Sequence, residues 1–239
     1  KHFYSVHTST TAGRDLFNGP ALLSHDVTLD KEGEGPQILI YHTHSQEAFK
    51  DSGPQGRTIV EVGDYLAELL TQKGYRVYHD TSVYDLQSGV LDRSKAYNYA
   101  LEGVNRILQQ NPSIQVVLDL HRDGVSENLH MVSDINGKPT AQIMFFNGLS
   151  RTPEGKIAYL SNPYLAENLA FSLKMQLGAQ AYFPGFARKI FHVAKVTVTT
   201  AGGDVTLRFL EEEKAEKIAE NLQKRINEIV KEQREEDGE

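Results

Sequence analysis

The pattern of apolar positions in the first half of the chain predicts alternating strands and helices. Residues 38–42, ILIYH, form an unbroken hydrophobic run, which is typical of a strand buried on both faces. The segment after it places four apolar residues at helical spacing: Val62, Leu66, Leu69 and Leu70. Gly74 lies where a C-terminal helix cap belongs, and YRVYHD predicts the next strand. The pattern therefore indicates a β-α-β unit.

A second unit of the same kind follows along the chain. One face of its predicted helix carries four apolar residues: Ala96, Ala100, Val104 and Ile107. The pair Asn111-Pro112 is expected to stop this helix before the apolar strand IQVVLDL. Alternating units of this type favour a parallel sheet with helices on both faces.

The second half of the chain has a different pattern. Two alternating segments flank Asn136-Gly137, which is a strong hairpin signal, and a second hairpin is predicted around Gly202-Gly203. Helices are predicted over residues 162–178 and, with many charges, over residues 211–233.

Together these elements predict an α/β fold in a single domain, with a mostly parallel central sheet, flanking helices and β-hairpin insertions. We see no internal repeat and no low-complexity linker. The expected organisation is a β-like N-terminal entry segment over residues 1–35, the domain over 36–234 and a charged tail over 235–239.

Composition narrows the classes of function. The net charge of -7, with basic residues spread along the chain, argues against nucleic-acid binding. The chain has no cysteine, so a metal would have to be held by His, Asp or Glu. No apolar run approaches a membrane span of roughly 18 residues, and the first residues do not form a signal peptide. Because the chain starts at Lys1 and not at Met, we expect an excised or processed part of a longer protein.

Histidines end two of the predicted parallel strands. His42 and His44 follow the first strand, and His121 ends VVLDLH. Because side chains alternate along a strand, we expect His42 and His44 to point to the same side, and His44 to converge with His121 at the carboxyl edge of the sheet. Glu47 would complete a set of two imidazoles and one carboxylate, as in many catalytic zinc sites. The alternative is a polar loop on a stable core, and the spacing alone leaves both interpretations open.

Other polar residues also have competing interpretations. Arg122 and Asp123 either act at the site or form an ion pair in a loop. Glu211 either faces the metal or stabilises a helix N-terminus. A serine hydrolase using Ser45 or Ser94 is disfavoured because neither lies in a GxSxG elbow. The remaining histidines are interpreted as surface or structural residues: His2, His7, His25, His79, His130 and His192.

Several segments resemble one known family. PQILIYHTHSQEAF, VYHDTSVYD, QVVLDLHRDG, IMFFNG, NPYLAENLAFSLKMQ and YFPGFARKI are similar to the stage II sporulation protein P family. The resemblance covers the chain from about residue 36 to residue 190, and its HTHSQE and DLHRDG blocks are specific.

This resemblance implies a zinc-dependent N-acetylmuramoyl-L-alanine amidase, with a fold similar to the wider class of zinc amidases. Such a hydrolase uses a zinc-activated water to cleave the amide between muramic acid and the L-alanine of the stem peptide, and endopeptidase activity is also attributed to the family. The implied zinc ligands are His44, His121 and Glu47. Glu61, at the position where the wider class places its glutamate ligand, is the alternate to Glu47, and His42 is the alternate to His44.

The resemblance weakens towards the C-terminus. Family members carry a strand of the type LLVEVGAQTNT with a catalytic glutamate, where this chain has FHVAKVTVTTAGGDVTLRFLEEE. Glu211 is the nearest counterpart and the expected proton acceptor. Arg122 is expected to hold an oxyanion or a stem-peptide carboxylate, and Asp119 or Asp123 to orient a ligand histidine. The competing function is a peptidoglycan-binding module with little or no turnover.

The resemblance also implies a cellular setting. The substrate is peptidoglycan, and the partner is stage II sporulation protein D. The full-length protein is expected to be membrane-anchored and extracytoplasmic, between the two membranes of the sporangium during engulfment.

Overall fold

The computed structural model describes residues 14–49, 52, 56–125, 129–152, 155–158, 161–188, 194–200 and 203–209. After a 3-10 helix at Arg14–Phe17, the helices are α1 Gly19–Ser24, α2 Ile59–Gln72, α3 Arg93–Gln110 and α4 Leu165–Tyr182. The strands are β1 Ile38–Tyr41, β2 Val77–His79, β3 Leu86–Gln87, β4 Val90–Leu91, β5 Val116–Asp119, β6 Val132–Ile135, β7 Lys138–Ala141, β8 Arg151–Thr152, β9 Gly155–Lys156, β10 Ala194–Thr200 and β11 Gly203–Phe209.

The chain divides into two compact units. One is Thr28–Leu129, and the other combines Lys1–Val27 with His130–Glu239. The bounds predicted above for the entry segment, the domain and the tail are not tested by this division and stay a prediction.

The first unit contains the predicted parallel sheet. Its strand order is β2-β1-β5, and β1 pairs in parallel with both neighbours. The expectation that β1 is buried on both faces is confirmed, since Ile38, Leu39 and Ile40 are at most 4% exposed. The α/β class, the parallel sheet and the flanking helices are therefore confirmed.

The two helices of this unit cover opposite faces of the sheet. Leu39 packs against Val104 and Ile107 of α3. His42, three residues further along and therefore on the opposite side of the alternating pattern, lies close to Gly63 of α2. This arrangement follows from right-handed crossovers, because the first runs from the central strand β1 to β2 in one direction across the sheet and the second runs back from β2 to β5 in the opposite direction. All four apolar positions predicted for the buried face of α3 are buried: Ala96, Ala100, Val104 and Ile107.

Local signals in the sequence account for the ends of α2. Thr58 and Glu61 form a reciprocal capping box at its start. At its end Gly74 has φ +83°, its N–H donates to Thr71, and the N–H of Tyr75 donates to Leu70, which is a Schellman motif and confirms the predicted cap.

The predicted apolar face of α2 is only partly right. Its fully buried positions are Ile59 and Gly63, while Val62 and Leu69 are 41% and 39% exposed. Glycine adds nothing to a hydrophobic pattern. The apolar residues therefore predict a buried face that is rotated away from Gly63, where the helix packs most closely.

Tyr84 gives the first unit a predicted alkaline sensitivity. Its ring packs with Ala96 and Ala100, and its hydroxyl donates to Asp80 over 2.6 Å. Burial and this carboxylate raise the pKa of Tyr84 to about 12. Because that pKa lies above the unfolded value of about 10, the neutral phenol stabilises the fold fully below about pH 10, and this contribution is lost as the pH rises through about 12.

We therefore expect the free energy of unfolding to fall less steeply above about pH 10 in Tyr84→Phe than in the unsubstituted protein, because Phe has no proton to lose. Urea unfolding at a series of alkaline pH values measures both slopes. Tyr65→Phe is the control, since Tyr65 is 61% exposed. Parallel slopes for Tyr84→Phe and the unsubstituted protein would contradict the assignment.

The second unit is held together by α1 and α4. Its core cluster is Leu22, Leu169, Ala170 and Leu173. The expected β-like character of residues 1–35 is wrong where the structure describes this segment, because residues 14–17 and 19–24 are helical. Asn18 caps α1 by accepting from the N–H of Ala21, and Pro20 suits the first turn of a helix.

Both predicted hairpins of the second half are confirmed. Strands β6 and β7 join through Asn136 and Gly137, whose φ values of 55° and 78° fit a type I′ turn. Strands β10 and β11 pair antiparallel, with Thr200 opposite Gly203. The predicted helix over residues 211–233 lies outside the described residues.

Candidate metal centre

Two of the predicted ligands lie on one turn that directly follows β1. Residues 43–46 form this turn, with His44 inside it and Glu47 just after it. The N–H of Glu47 donates to the carbonyl of His44, which brings the two side chains to the same side. His121 reaches the turn from the end of β5, the strand that pairs with β1.

The three side chains form one cluster of possible metal ligands. One ligand atom from each of His44, Glu47 and His121 lies within 4.8 Å of the others. The Nδ1 atom of His44 is 3.5 Å from Oε1 of Glu47, and Nδ1 of His121 is 3.7 Å from Oε2. Their side chains are 12%, 9% and 30% exposed in chain order, so His121 is the most open to solvent.

The outward nitrogen of each imidazole is held by an acceptor. Nε2 of His44 lies 3.1 Å from the carbonyl of Arg93, and Nε2 of His121 lies 2.9 Å from Oδ2 of Asp119. Carbonyl and carboxylate oxygens only accept, so each ring carries its hydrogen on Nε2. In the neutral rings both Nδ1 lone pairs therefore face Glu47, which is the orientation in which histidines ligate a metal.

Asp119 also connects β5 to residues 43–46, the turn that holds His44 and is called the ligand turn below. It accepts from the N–H of Thr43 at 3.0 Å and from the Thr43 hydroxyl at 2.6 Å. Burial alone would raise the pKa of Asp119, but the hydrogen bonds from His121 and Thr43 outweigh burial and hold this pKa below its ordinary value. The hydrogen bond to Asp119 in turn raises the pKa of His121.

His42 takes a different direction from His44, so the expectation that both point to the same side is wrong. Its Nδ1 bonds the carbonyl of Leu120 at 2.9 Å, and its Nε2 lies 2.8 Å from Nε2 of His79. His79 in turn bonds Asp64 through Nδ1. The strand ends at Tyr41, so alternation no longer governs the turn that holds His44. Burial lowers the pKa of His42.

A family model described as Stage II sporulation protein P (SpoIIP) matches residues 7–201. The chain belongs to this family. Membership implies a role in sporulation. The matched range contains the turn at residues 43–46, His121 and every strand from β1 to β10. No curated protein and no solved structure matches the chain. Among the residues that the structure describes, no helix has the length and apolar character needed to cross a membrane.

The alternate ligands lie outside the cluster in this SpoIIP family member. Glu61 caps α2, accepting from the N–H and the hydroxyl of Thr58 at 2.7 and 2.9 Å. This hydrogen bonding lowers the pKa of Glu61. Among the described residues, the group of side chains that could hold a metal ion consists of His44, Glu47 and His121 and does not include His42 or Glu61.

Arg122 lies beside the cluster. Its N–H donates to Oε2 of Glu47 at 2.8 Å, which fixes the carboxylate. Its Nε is buried and has no hydrogen-bond partner within the described part of the chain. Asp123 is exposed on the following loop, and its carbonyl accepts from Nη1 of Arg122. Glu211, the expected proton acceptor, lies outside the described residues.

Two further residues beside the cluster were not predicted from the sequence. Tyr97 of α3 makes an edge contact with His44, with ring centroids 5.2 Å apart, yet is 56% exposed. Burial and the carboxylates of Asp119 and Glu47 raise the pKa of Tyr97, so its phenol stays neutral. Asp85 is fully buried and bonds the ligand turn. Helix spacing alone marks Tyr97 as a surface residue, and no local motif marks Asp85.

Proposed function

We propose that this protein is a zinc-dependent peptidoglycan hydrolase that cleaves the amide between N-acetylmuramic acid and L-alanine, acting in sporulation. The observation that carries the proposal is the cluster of His44, Glu47 and His121 at the carboxyl edge of a parallel sheet. That edge is where α/β proteins commonly place their sites.

The donor set fits a catalytic zinc ion. Two imidazoles and one carboxylate form a common three-ligand set, which leaves positions for water and substrate. The hydrogen bonds from His44 to Arg93 and from His121 to Asp119 supply the supporting contacts that such ligands usually have. When bound, zinc supplies a Lewis acid that lowers the pKa of water and polarises a carbonyl group.

The residues around the cluster have separate tasks in this proposal. Glu47 is fixed by the N–H of Arg122, so its carboxylate is oriented before a metal binds. The Nε of Arg122, which has no hydrogen-bond partner among the described residues, is the proposed donor to a substrate oxygen, either the developing oxyanion or a stem-peptide carboxylate. Tyr97 offers a neutral, exposed phenol next to His44 as a contact for the glycan or peptide. Glu211 is retained as the proposed proton acceptor.

The family supports an extracytoplasmic location and peptidoglycan as substrate. We extend this to action during engulfment beside stage II sporulation protein D, with a membrane anchor in the full-length protein. Asp123 is retained beside Asp119 as a proposed residue for orienting a ligand histidine.

A second candidate function is peptidoglycan binding without efficient cleavage. It is favoured by the C-terminal segment, where β10 and β11 form a two-stranded sheet of their own and the GAQTNT sequence of the family strand is missing. In this case the protein would bind peptidoglycan sacculi and release little or no stem peptide.

Metal analysis combined with wall digestion tests the proposed function. We expect about one zinc per chain, release of stem peptides with a free L-alanine amino group, loss of release on chelation and its recovery with zinc. Magnesium added to the chelated protein is the control, because it prefers oxygen ligands. Zinc with sacculus binding but no release would favour the binding protein, and no zinc would contradict the metal site.

A further inference from the structure

We propose that Asp85 is a positioning residue that sets the distance between His44 and Glu47 by holding the turn between them. This inference rests on the proposed metal site and adds to it a residue that contacts neither the metal nor the substrate. It is carried by hydrogen bonds alone.

The carboxylate of Asp85 bonds the two residues that separate the ligands. Its Oδ1 accepts from the hydroxyl of Ser45 at 2.9 Å, and its Oδ2 accepts from the N–H of Gln46 at 3.1 Å. Asp85 is 0% exposed and Ser45 is 1% exposed. A buried carboxylate is tolerated only where donors compensate for its lost hydration, and both of these donors come from the ligand turn.

The backbone of Asp85 reaches His44 by a second route. Its carbonyl accepts from the N–H of Asp92 at 2.8 Å, and Asp92 caps α3 by accepting from the N–H groups of Ser94 and Lys95. The first residue of that helix, Arg93, provides the carbonyl that orients the His44 ring. Asp85 thus fixes both the backbone of the turn and the acceptor behind the ring.

The other side of the turn is held in the same way by Asp119. It bonds the N–H and the hydroxyl of Thr43, just before His44, while Asp85 bonds Ser45 and Gln46, just after it. Two carboxylates therefore clamp the turn from opposite ends. With both ends fixed, the Nδ1 of His44 stays 3.5 Å from the carboxylate of Glu47 before any ion binds.

Substitutions at Asp85 separate charge from hydrogen bonding. Asp85→Ala removes both acceptors. Asp85→Asn keeps an oxygen for the N–H of Gln46 and can donate to the hydroxyl of Ser45, which both donates and accepts. The matched control is Asp80→Asn, because Asp80 is also buried and accepts from a serine N–H and hydroxyl, those of Ser82, but has no side-chain bond to the ligand turn.

The test measures zinc affinity by competition with a chromophoric chelator, the visible absorption of the cobalt(II) form, and hydrogen exchange of the Gln46 amide. We expect Asp85→Ala to weaken zinc binding by about 10–100-fold, to change the cobalt spectrum and to expose the Gln46 amide to exchange. Asp85→Asn should lose less, and Asp80→Asn should behave like the unsubstituted protein in all three measurements.

The outcomes distinguish failure of this inference from failure of the proposed function. A folded Asp85→Ala protein with unchanged zinc affinity and cobalt spectrum would overturn the positioning role. The Gln46 amide needs no metal, so unchanged protection in Asp85→Ala overturns the clamp even where the unsubstituted protein binds no zinc. If Asp85→Ala does not fold, Ser45→Ala provides the same test, since it removes one of the two bonds and leaves the carboxylate paired with Gln46.

Discussion

Replacing His121 by alanine should abolish release of stem peptides from purified cell wall and reduce zinc content to background. His121 is the proposed ligand that reaches the cluster from β5, whereas His44 and Glu47 lie on or next to one turn. Without it, two donors from a single turn remain, and a metal held by two protein ligands is bound weakly. The loss should exceed the roughly 10–100-fold effect typical of residues behind a ligand.

The substitution His121→Ala should have little effect on the stability of the fold. The His121 side chain is 30% exposed, and Asp119 keeps its two hydrogen bonds from Thr43. Circular dichroism and thermal unfolding check this point, and His130→Ala is the control because His130 is exposed and outside the cluster. Normal digestion by a folded His121→Ala protein would refute the site.

Replacing Glu47 by glutamine should produce a loss of similar size. The amide keeps an oxygen that can accept from the N–H of Arg122, so the local fold is preserved, but the anionic ligand is lost. Zinc affinity and wall digestion are the measurements, and we expect both to fall to near background.

Glu61→Gln provides the matched comparison for Glu47→Gln. Glutamine also serves in a capping box, so α2 should keep its N-terminus, and zinc binding should be unchanged. If instead Glu61→Gln loses zinc and Glu47→Gln retains it, the third ligand is the one that the wider amidase class implies. The pair of variants thus decides between the two glutamates considered from the sequence.

The strands, helices and turns that could be predicted from the sequence have local signals. The apolar run of β1, the buried face of α3 and the Asn136-Gly137 turn depend on residues adjacent in sequence. The N-terminal helix was missed because its main signal, Asn18 before Gly19-Pro20, is short and lacks an apolar period. The hydrophobic pattern of α2 failed at Gly63, where close packing requires the absence of a side chain.

The candidate site was predicted in its main residues but not in its support. Ligands of parallel α/β sheets bind at the carboxyl ends of the strands, and the HTHSQE and LHRDG motifs lie at two such ends. This predicted that His44, Glu47 and His121 lie together, and the structure groups the same three residues. The relation between His42 and His44 was predicted wrongly because strand alternation was extended to His44, three residues past the end of β1 at Tyr41. Asp85 contacts Ser45 across 40 positions of sequence, and such a pairing leaves no spacing to detect.

The close packing at Gly63 limits which residues α2 can carry at this position. Glycine is the poorest helix former after proline, so a search for stabilising substitutions would replace it with alanine first. A Cβ at this position would lie 2.5 Å from Nε2 of His79 and 2.6 Å from Nε2 of His42. It would push apart two rings whose hydrogen bonds end at the carbonyl of Leu120, the residue before His121. A helix that supplies none of the three clustered side chains is thus still constrained by two histidines whose hydrogen bonds lead to the residue beside the cluster, and a gain in helix propensity at Gly63 would disturb those hydrogen bonds.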